Sequence, residues 1–272
     1  MRRIISSVMK SLEKLPFFKT AIIRIRNKQQ LHGNECALLN IHSVRNHINM
    51  LGCGHALRSV SSACLRACNI HVEGKNNSIE IAQGTSLYRE GANTAYISGS
   101  GNRVIIGSNC MLRKASFFIR GNNNTIIIGD GCSAYNVQFH IEQDGNAIYV
   151  GDGTTFHGRD AQAVHLAADE GSRILIGNDC MFAHSTQIRS TDSHSIIDDS
   201  GKRINPAKDV VIGNHCWIGL QCIILKGVEL ADRCVVAAGA VCSKKYEESN
   251  CVIGGNPARV IKRNIDWDRK FL

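Results

Sequence analysis

The feature that most constrains the fold of this chain is a six-residue repeat between Val210 and Val241. An aliphatic residue stands at every sixth position, and a small or compact residue follows each of them four positions later. This period is neither the 3.6 of a helix nor the 2 of a half-buried strand. A period of six indicates a β-solenoid, in which corners separate short strands that form flat faces. The aliphatic column is Ile212, Ile218, Ile224, Leu230 and Val236, and the compact column is Cys216, Cys222, Val228, Cys234 and Ala240.

A looser pattern extends the solenoid upstream of residue 210. Two aliphatic residues two positions apart recur at intervals of 25, 22, 22, 26 and 36 residues, usually with Gly after them. Three faces of six residues are shorter than any of these intervals, so each interval should contain one coil and an excursion. The longest interval holds a polar, turn-rich loop, and long loops on rigid scaffolds tend to carry function. The pairs are Ile79/Ile81, Val104/Ile106, Ile126/Ile128, Ile148/Val150, Ile174/Ile176 and Val210/Ile212.

The first 30 residues differ from the rest of the chain in charge. They hold eight Lys or Arg and one acid, and so carry seven of the nine net positive charges. Apolar residues at helical spacing predict a basic amphipathic helix, which either caps the open end of the solenoid or contacts an anionic membrane surface. The nearly neutral remainder lacks the basic body of a nucleic-acid-binding domain. The apolar positions are Ile4, Ile5, Val8, Leu12 and Leu15.

Export and disulfide signals are missing from the sequence. No apolar run reaches the length of a transmembrane helix, and no apolar core with a cleavage site follows the basic start. We therefore expect a cytoplasmic protein, with peripheral contact at the inner membrane as the sharper alternative. Of the 12 cysteines, six follow a repeat aliphatic by four residues, the position of the compact column, which predicts buried free thiols, with metal binding or a catalytic thiol as alternatives. They are Cys110, Cys132, Cys180, Cys216, Cys222 and Cys234.

Four stretches carry a resemblance to a known family: IGNHCWIG, ILKGVEL, VVAAGAV and GGNPARVIKR. They resemble the left-handed β-helix acyltransferases of the hexapeptide-repeat superfamily, and most of all its galactoside-type and polysaccharide O-acetyltransferases. The resemblance implies an all-β, left-handed parallel β-helix, a homotrimer with active sites between subunits, and acetyl-CoA as co-substrate. We expect a helical segment at 1–30, the β-helix domain at 31–253 with a catalytic loop at 181–209, and a basic C-terminal helix within 254–272 after Pro257.

The resemblance also implies which residues carry the chemistry. In related enzymes the His of a run like Asp192–Ile196 is the catalytic base, which indicates His194, flanked by Asp192; Ser195 stands where galactoside-type members commonly have Pro. An unperturbed imidazole suits proton abstraction at neutral pH. Trp217 matches a Trp of the acceptor and acetyl region. Arg189 and Asp198 are further candidates for binding the acceptor.

Coenzyme A is a polyanion, so its site should offer backbone N–H groups and cations. By resemblance, the pantetheine arm follows the coil edge near Gly219 and Ala238, beside Trp217. The phosphates would meet a basic C-terminal segment, although such a segment is often only a solvated face. The cations concerned are Lys244, Arg259, Lys262 and Arg263.

Three functions fit this reading. The first is an acetyl-CoA-dependent O-acetyltransferase that acts by direct transfer on a sugar hydroxyl of a capsule, O-antigen or exopolysaccharide, or of its precursor. The second is an N-acetyltransferase of a nucleotide-linked amino sugar or a serine-type acetyltransferase, and the third is a non-catalytic scaffold. No metal is expected, because His42 and His47 have the spacing of γ-class carbonic anhydrases but no third His stands in a matching place.

Overall fold

A computed structural model describes residues 28–32, 34–38, 45–60, 62–88 and 93–270. Residues 1–27 of the predicted N-terminal helical segment lie outside these residues, and its last three residues, Lys28–Gln30, form a strand instead. The described chain winds through three faces in turn, which we call A, B and C, and each face is a ten-stranded sheet. Strands of successive coils pair in parallel on all three faces, so the described chain is a parallel β-solenoid, whose first described strand is Lys28–Gln30.

The strands of face A are β1 (Lys28–Gln30), β3 (His47–Cys53), β6 (Asn69–Lys75), β9 (Thr94–Ser100), β12 (Ser116–Arg120), β15 (Val137–Glu142), β18 (Val164–Ala168), β21 (Gln187–Arg189), β24 (Ile223–Ile224) and β27 (Val241–Cys242). Those of face B are β2 (Glu35–Leu38), β4 (Ala56–Ser59), β7 (Ser78–Ile81), β10 (Arg103–Ile106), β13 (Thr125–Ile128), β16 (Ala147–Val150), β19 (Arg173–Ile176), β22 (Val210–Ile212), β25 (Glu229–Leu230) and β28 (Lys245–Tyr246). Those of face C are β5 (Cys64–Leu65), β8 (Ser86–Tyr88), β11 (Met111–Arg113), β14 (Ser133–Tyr135), β17 (Thr155–His157), β20 (Met181–Ala183), β23 (Trp217–Ile218), β26 (Val235–Val236), β29 (Cys251–Gly255) and β30 (Ala258–Arg263).

The core of the solenoid consists of the inward-pointing residues of the three faces. Both columns of the six-residue repeat are buried, from Ile212 at 1% exposure to Cys216 and Ala240 at 0%, which confirms the sequence prediction. Alternation along each strand puts the intervening residues outside. Burial of these aliphatic columns is the main favourable term for a fold whose strands contact only neighbouring coils.

The upstream pairs confirm that each sequence interval is one coil. Ile79 pairs with Val104, and Val104 with Ile126, in adjacent strands of face B. Corner-to-corner spacings are 22 residues where the coils are regular and 18 in the C-terminal coils. The extra residues of the larger coil lengthen the face A strands and the corner between faces A and B. Insertions therefore change the outline of the prism and leave its inward register intact.

A ladder of buried asparagines fills the corner between faces A and B. The side-chain amide of Asn102 donates to Oδ1 of Asn77 at 3.0 Å, Asn124 donates to Asn102 at 3.1 Å, and Asn146 to Asn124 at 3.1 Å. Each Oδ1 also accepts a backbone N–H from the next coil, as in Asn124 N–H to Asn102 at 3.0 Å. Identical side chains stacked in register thus satisfy one another, which buried amides require.

The compact-column cysteines are buried, and no disulfide links the cysteines that the structure describes. Cys180 Sγ lies 3.1 Å from the carbonyl oxygen of Gly213, and Cys222 Sγ lies 3.1 Å from that of Ala237. Burial raises the pKa of Cys222, and it raises that of Cys242 to about 12. The thiols therefore act as small hydrophobic groups with weak S–H donors, as predicted.

The predicted C-terminal helix is wrong for the described residues. Residues 258–263 form β30, which pairs antiparallel with β29, Gly255 opposite Ala258 and Val252 opposite Lys262. The last parallel strand of face C has a free edge, and an antiparallel partner satisfies its N–H and C=O groups. Ala258 is buried and Val260 packs against the core, which fits a strand alternating in and out.

Candidate active site

The longest excursion leaves the corner between faces A and B and covers residues 190–209, because residues 181–183 and 187–189 belong to strands β20 and β21. Glu170 anchors it to the preceding coil. Its Oε1 accepts hydrogen bonds from Arg203 Nη2 at 2.6 Å and Thr191 Oγ1 at 3.0 Å. The Arg203 guanidinium lowers the pKa of Glu170, so the carboxylate is charged at neutral pH.

Asn205 holds the two arms of the loop together. Its Nδ2 donates to the main-chain oxygen of His194 and to Oδ2 of Asp192, both at 2.8 Å. Its Oδ1 accepts the backbone N–H of Ile196 at 2.7 Å. Lys226, from the next coil, lies 2.5 Å from Asp192 Oδ2 and donates to the Asn205 carbonyl at 3.0 Å. Hydrogen bonds with Asn205 and Lys226 therefore hold the chain on both sides of His194, at Asp192 and at Ile196.

His194 itself is exposed at the tip of this fixed backbone. Within the described loop, no hydrogen bond engages either of its ring nitrogens. In the described structure no hydrogen bond joins Asp192 to the imidazole; its Oδ2 instead accepts from Lys226 and Asn205, and Lys226 lowers its pKa. The arrangement presents a free imidazole to solvent on a rigid support, and such a group can accept a proton from a bound hydroxyl.

The two other predicted acceptor-binding residues of the loop lie apart. Arg189 is the last residue of β21, and its Nη2 donates to Ser193 Oγ at 3.0 Å, next to His194. Asp198 is further out, where its Oδ1 accepts the backbone N–H groups of Ser200 at 2.9 Å and Lys202 at 3.0 Å. The structure thus brings Arg189 to the base of the loop and uses Asp198 to close a turn.

Trp217 lies elsewhere on the prism. It begins β23 on face C, points outward and is 38% exposed. The corner between faces A and B, from which the loop leaves, is opposite face C in a three-sided prism. One chain therefore does not bring His194 and Trp217 together.

A C-terminal segment that sequence reasoning missed packs beside Trp217. The Trp267 ring lies 6.1 Å from that of Trp217, stacks on His215 at 4.4 Å, and donates its Nε1–H to the His215 carbonyl at 2.8 Å. Both ring nitrogens of His215 are engaged, by Asp179 at 2.6 Å and by the Trp267 carbonyl at 3.1 Å. His215 therefore anchors the segment, despite the His–Asp pairing that catalytic bases often have.

The family model described as "Hexapeptide repeat of succinyl-transferase" matches residues 209–244. A polysialic acid O-acetyltransferase of Neisseria meningitidis is 38% identical over 200 residues, which cover 73% of this chain and 89% of that relative. The chain belongs to the hexapeptide-repeat acyltransferases. A polysialic acid O-acetyltransferase of Escherichia coli O1:K1 / APEC is 40% identical over 97 residues, or 35% of this chain and 31% of that relative.

Two solved structures extend the likeness over most of this acyltransferase. That of the polysialic acid O-acetyltransferase OatWY has a TM-score of 0.61 at 28% identity, over 89% of this chain and 93% of its own. That of the polySia-specific acetyltransferase NeuO has a TM-score of 0.57 at 25% identity, over 90% of this chain and 88% of its own. The likeness therefore includes the irregular upstream coils, which lie outside the match to the family model.

The residues predicted for coenzyme A lie toward the C-terminal end of this acyltransferase. A Cβ on Gly219 would be 2.7 Å from the Val236 oxygen and 2.8 Å from the Ala238 nitrogen, so only glycine allows the next coil to approach this closely. Lys244 Nζ lies 5.7 Å from the centre of the Tyr246 ring. Three cations project from β30; Arg263 pairs with Glu248 at 2.7 Å. They are Arg259, Lys262 and Arg263.

His184 is a second residue that sequence reasoning missed. It lies at the corner between faces C and A, where its carbonyl accepts the N–H of Gln221 at 3.1 Å, close to Gly219. Its Nδ1 is buried and lacks a hydrogen-bond partner among the described residues. A buried unpaired nitrogen is costly unless a ligand or water completes it. No group of three metal-ligating side chains is present in the described part of the chain.

Proposed function

We propose that this acyltransferase transfers the acetyl group of acetyl-CoA to a sugar hydroxyl of a surface polysaccharide or its precursor. The observation that carries the proposal is the exposed imidazole of His194 on a loop that Asn205, Asp192 and Lys226 hold rigid. The names of the relatives, polysialic acid O-acetyltransferases, support a glycan acceptor. An N-acetyltransferase on the same scaffold has no observation of its own in its favour.

In the proposed reaction, transfer is direct. A ring nitrogen of His194 takes the proton of the acceptor hydroxyl as its oxygen attacks the thioester carbonyl. The C–S bond then breaks, and the imidazolium returns the proton to the departing thiolate. An acyl-enzyme on Cys222 is disfavoured because burial raises the pKa of this thiol and makes it a poor nucleophile.

Acetyl-CoA would lie along the corner between faces C and A. The unpaired Nδ1 of His184 offers a polar partner for an amide of the pantetheine arm near Gly219 and Ala238. The cations Lys244, Arg259 and Lys262 are exposed toward the same end and suit the phosphates. We infer a left-handed coil here, since this is the hand of the family that the repeats resemble.

The active site would be shared between copies of the chain in a homotrimer. His194 and Trp217 lie on opposite sides of one prism, so a site that contains both needs two subunits. Face B offers the apolar surface for this contact, with outward Ile105, Tyr149 and Leu175 in register. The loop adds three exposed isoleucines at 54–60% exposure, and a cluster of exposed apolar side chains marks an interface. They are Ile196, Ile197 and Ile204.

Thiol release from acetyl-CoA, measured with polysaccharide and amino-sugar acceptors, tests the reaction. Release with hydroxyl acceptors alone supports it, and release only with amino sugars would establish the N-acetyltransferase. Mixing inactive His194→Ala and Trp217→Ala chains tests the shared site, because reassembly restores a complete pair only if the residues come from different subunits. A monomer by light scattering excludes the sharing.

Residues 1–30 supply the remaining proposal, peripheral contact with an anionic membrane. Eight basic residues could contribute about 1 kcal/mol each near anionic headgroups. No helix among the described residues is long and apolar enough to span a bilayer. Co-sedimentation with anionic liposomes should decrease with salt and disappear when 1–30 are deleted; folded protein without affinity for them favours the capping role.

A further inference from the structure

A column of stacked rings follows face A on its outer surface. We call it the face A stripe: Asn49, His71, Tyr96, Phe118 and His140, which are in register on successive coils. Ring centroids lie 5.3, 5.4 and 4.7 Å apart from His71 to His140. The rings stack on one another, so their edges and polar atoms face solvent.

Polar groups line the stripe. Glu73 accepts the Tyr96 hydroxyl at 3.0 Å, and Glu142 lies 3.2 Å from Nε2 of His140. The side chains of His71 and His140 remain 34% and 38% exposed. At the N-terminal end the stripe opens into a recess of about 320 Å³, whose lining includes Asn49, His71 and Tyr96 of the stripe together with His47 and Thr94.

The stripe leads to the candidate active site. The same column continues in register from His140 through Ala167, which is buried, to Arg189, whose guanidinium contacts Ser193 beside His194. A chain molecule lying on the stripe would thus deliver one of its units to the imidazole. The coils repeat about every 4.8 Å, the spacing of adjacent strands, so a regular polymer meets similar groups repeatedly.

The chemistry of the stripe differs from that of face B. On face B the outward column of the same coils is mostly aliphatic, with Tyr149 among Ile105, Ile127 and Leu175, which suits another copy of the chain. The outer side of face A combines ring edges with hydroxyl, amide and imidazole groups. Its charges are mixed, since Lys75, Arg120 and Arg189 are interspersed with Glu73, Glu142 and Asp169. Such a surface suits a hydroxyl-rich chain held by hydrogen bonds, and less a ligand held by charge alone.

We propose that the face A stripe binds the acceptor glycan beyond the sugar that is acetylated, so that the enzyme selects long chains. The inference rests on the proposed function for the identity of the ligand. Phe118 is the central contact. It lies between Tyr96 and His140 with Arg120 5.6 Å from its ring centre, while its neighbours Phe117 and Ile119 fill the core.

Binding without acetyl-CoA tests the stripe separately from catalysis. Oligosaccharides from a panel of neutral and sialylated capsular polysaccharides, graded from disaccharides to chains that span the stripe, are titrated by calorimetry. We expect affinity to increase with length and to change little with salt. Phe118→Ala should weaken binding of the long chains roughly threefold to tenfold, the contribution of one aromatic contact, and leave disaccharides unaffected. Met111→Ala, on exposed face C, is the matched control.

A second, milder variant keeps the test valid if Phe118→Ala does not fold. Tyr96→Phe keeps the stacked ring and removes only the hydroxyl bonded to Glu73, so it should show a smaller loss of the same kind. Absence of length-dependent binding in every glycan series overturns the inference. So does a Phe118→Ala chain that changes oligomeric state, because the stripe would then be an interface between copies. Length-dependent binding without any acetyl transfer would keep the stripe as a glycan site and refute the proposed reaction.

Discussion

The coils before and after the 190–209 loop solve the same packing problem with different residues. Before it, coils of 22 residues have face A strands as long as seven residues and a buried asparagine ladder at one corner. After it, coils of 18 residues have strands of two residues, and the corners are closed by cysteine, valine and alanine. Both regions keep an inward aliphatic column continuous, from Ile106 through Ile176 to Ile212 and Leu230.

The difference shows where the scaffold can carry additional function. A larger coil provides a wide outer face, whereas the two-residue strands of the compact coils leave little outer surface. The candidate catalytic loop stands at the junction. There Ser172 takes the place of the next asparagine in the ladder, and its backbone N–H donates to Asn146 Oδ1 at 3.1 Å. The Ser172 hydroxyl donates to Ser190 Oγ at 2.6 Å. The corner is thus released from the ladder at the coil from which the loop leaves.

The largest expected difference between the loop and the compact coils comes from replacing one histidine in each, His194 and His215, in separate variants. His194→Ala should reduce turnover by about 10² to 10⁴-fold, the usual contribution of a general base, without lowering the melting temperature. His215→Asn should lower the melting temperature, because it breaks the contacts to Asp179 and Trp267 in the compact region. A His194→Ala enzyme retaining more than roughly a tenth of wild-type turnover would place the base elsewhere.

The two corner chemistries should differ in energetic cost. Asn124→Ala removes a side chain that bonds Asn102 and Asn146 in both directions, leaving buried amides unpaired. We expect the free energy of unfolding to decrease by about 3 kcal/mol, as determined from urea unfolding curves. Cys222→Ala in the compact coils should cost about 1 kcal/mol, close to one buried methylene. Equal losses would show that the ladder is not what stabilises the larger coils.

The junction loop should loosen when Lys226 is removed. Lys226→Met leaves Asp192 without its cation, so amide exchange in 190–209 should accelerate severalfold at pH 7, and exchange in β18 should stay constant. The pKa of Asp192 is lowered in the folded protein. The ion pair therefore stabilises the loop fully at a pH above the ordinary pKa of an aspartate, about 4. This stabilisation is lost as the pH falls through the lower pKa of Asp192 in the folded protein. Wild-type protein should approach the exchange of Lys226→Met only on such acidification.

The smallest effect is expected from reductant. Because the described cysteines form no disulfide, dithiothreitol should leave the melting temperature of both regions unchanged. A thiol reagent should react first with exposed Cys53 and slowly with buried Cys222. A reductant-sensitive melting temperature would contradict the free-thiol interpretation of the compact column.

How much the sequence predicts also differs between the regions. In the compact coils each hexad uses one inward aliphatic and one compact residue, so strands could be located from Ile212 onward. Upstream, the first coils fill inward positions with Met50, Leu57 and Leu65, without a regular spacing. There only the aliphatic pairs such as Val104/Ile106 remained as a signal, and the coils before Ile79 were not resolved from sequence.

The candidate site was predicted in part for the same reason. His194 lies in a run that resembles its relatives, but its support comes from Asn205 and Lys226, which have no local signal because their partners are distant in sequence. The predicted helix in the tail is wrong, because its composition allows a helix but the free edge of β29 favours a strand. Only the structure puts Trp267 against His215, 52 residues away.

Strand β30 affects whether the solenoid can polymerise end to end. A stack of parallel coils can in principle grow without limit by end-to-end polymerisation, as cross-β fibres do. On face C the reversed strand blocks such growth, since it offers an edge that a further parallel coil would not match. That edge also carries Arg259, Lys262 and Arg263, and like charges repel a second molecule approaching the same way. The cations proposed to bind coenzyme A would thus also oppose end-to-end association of the solenoid.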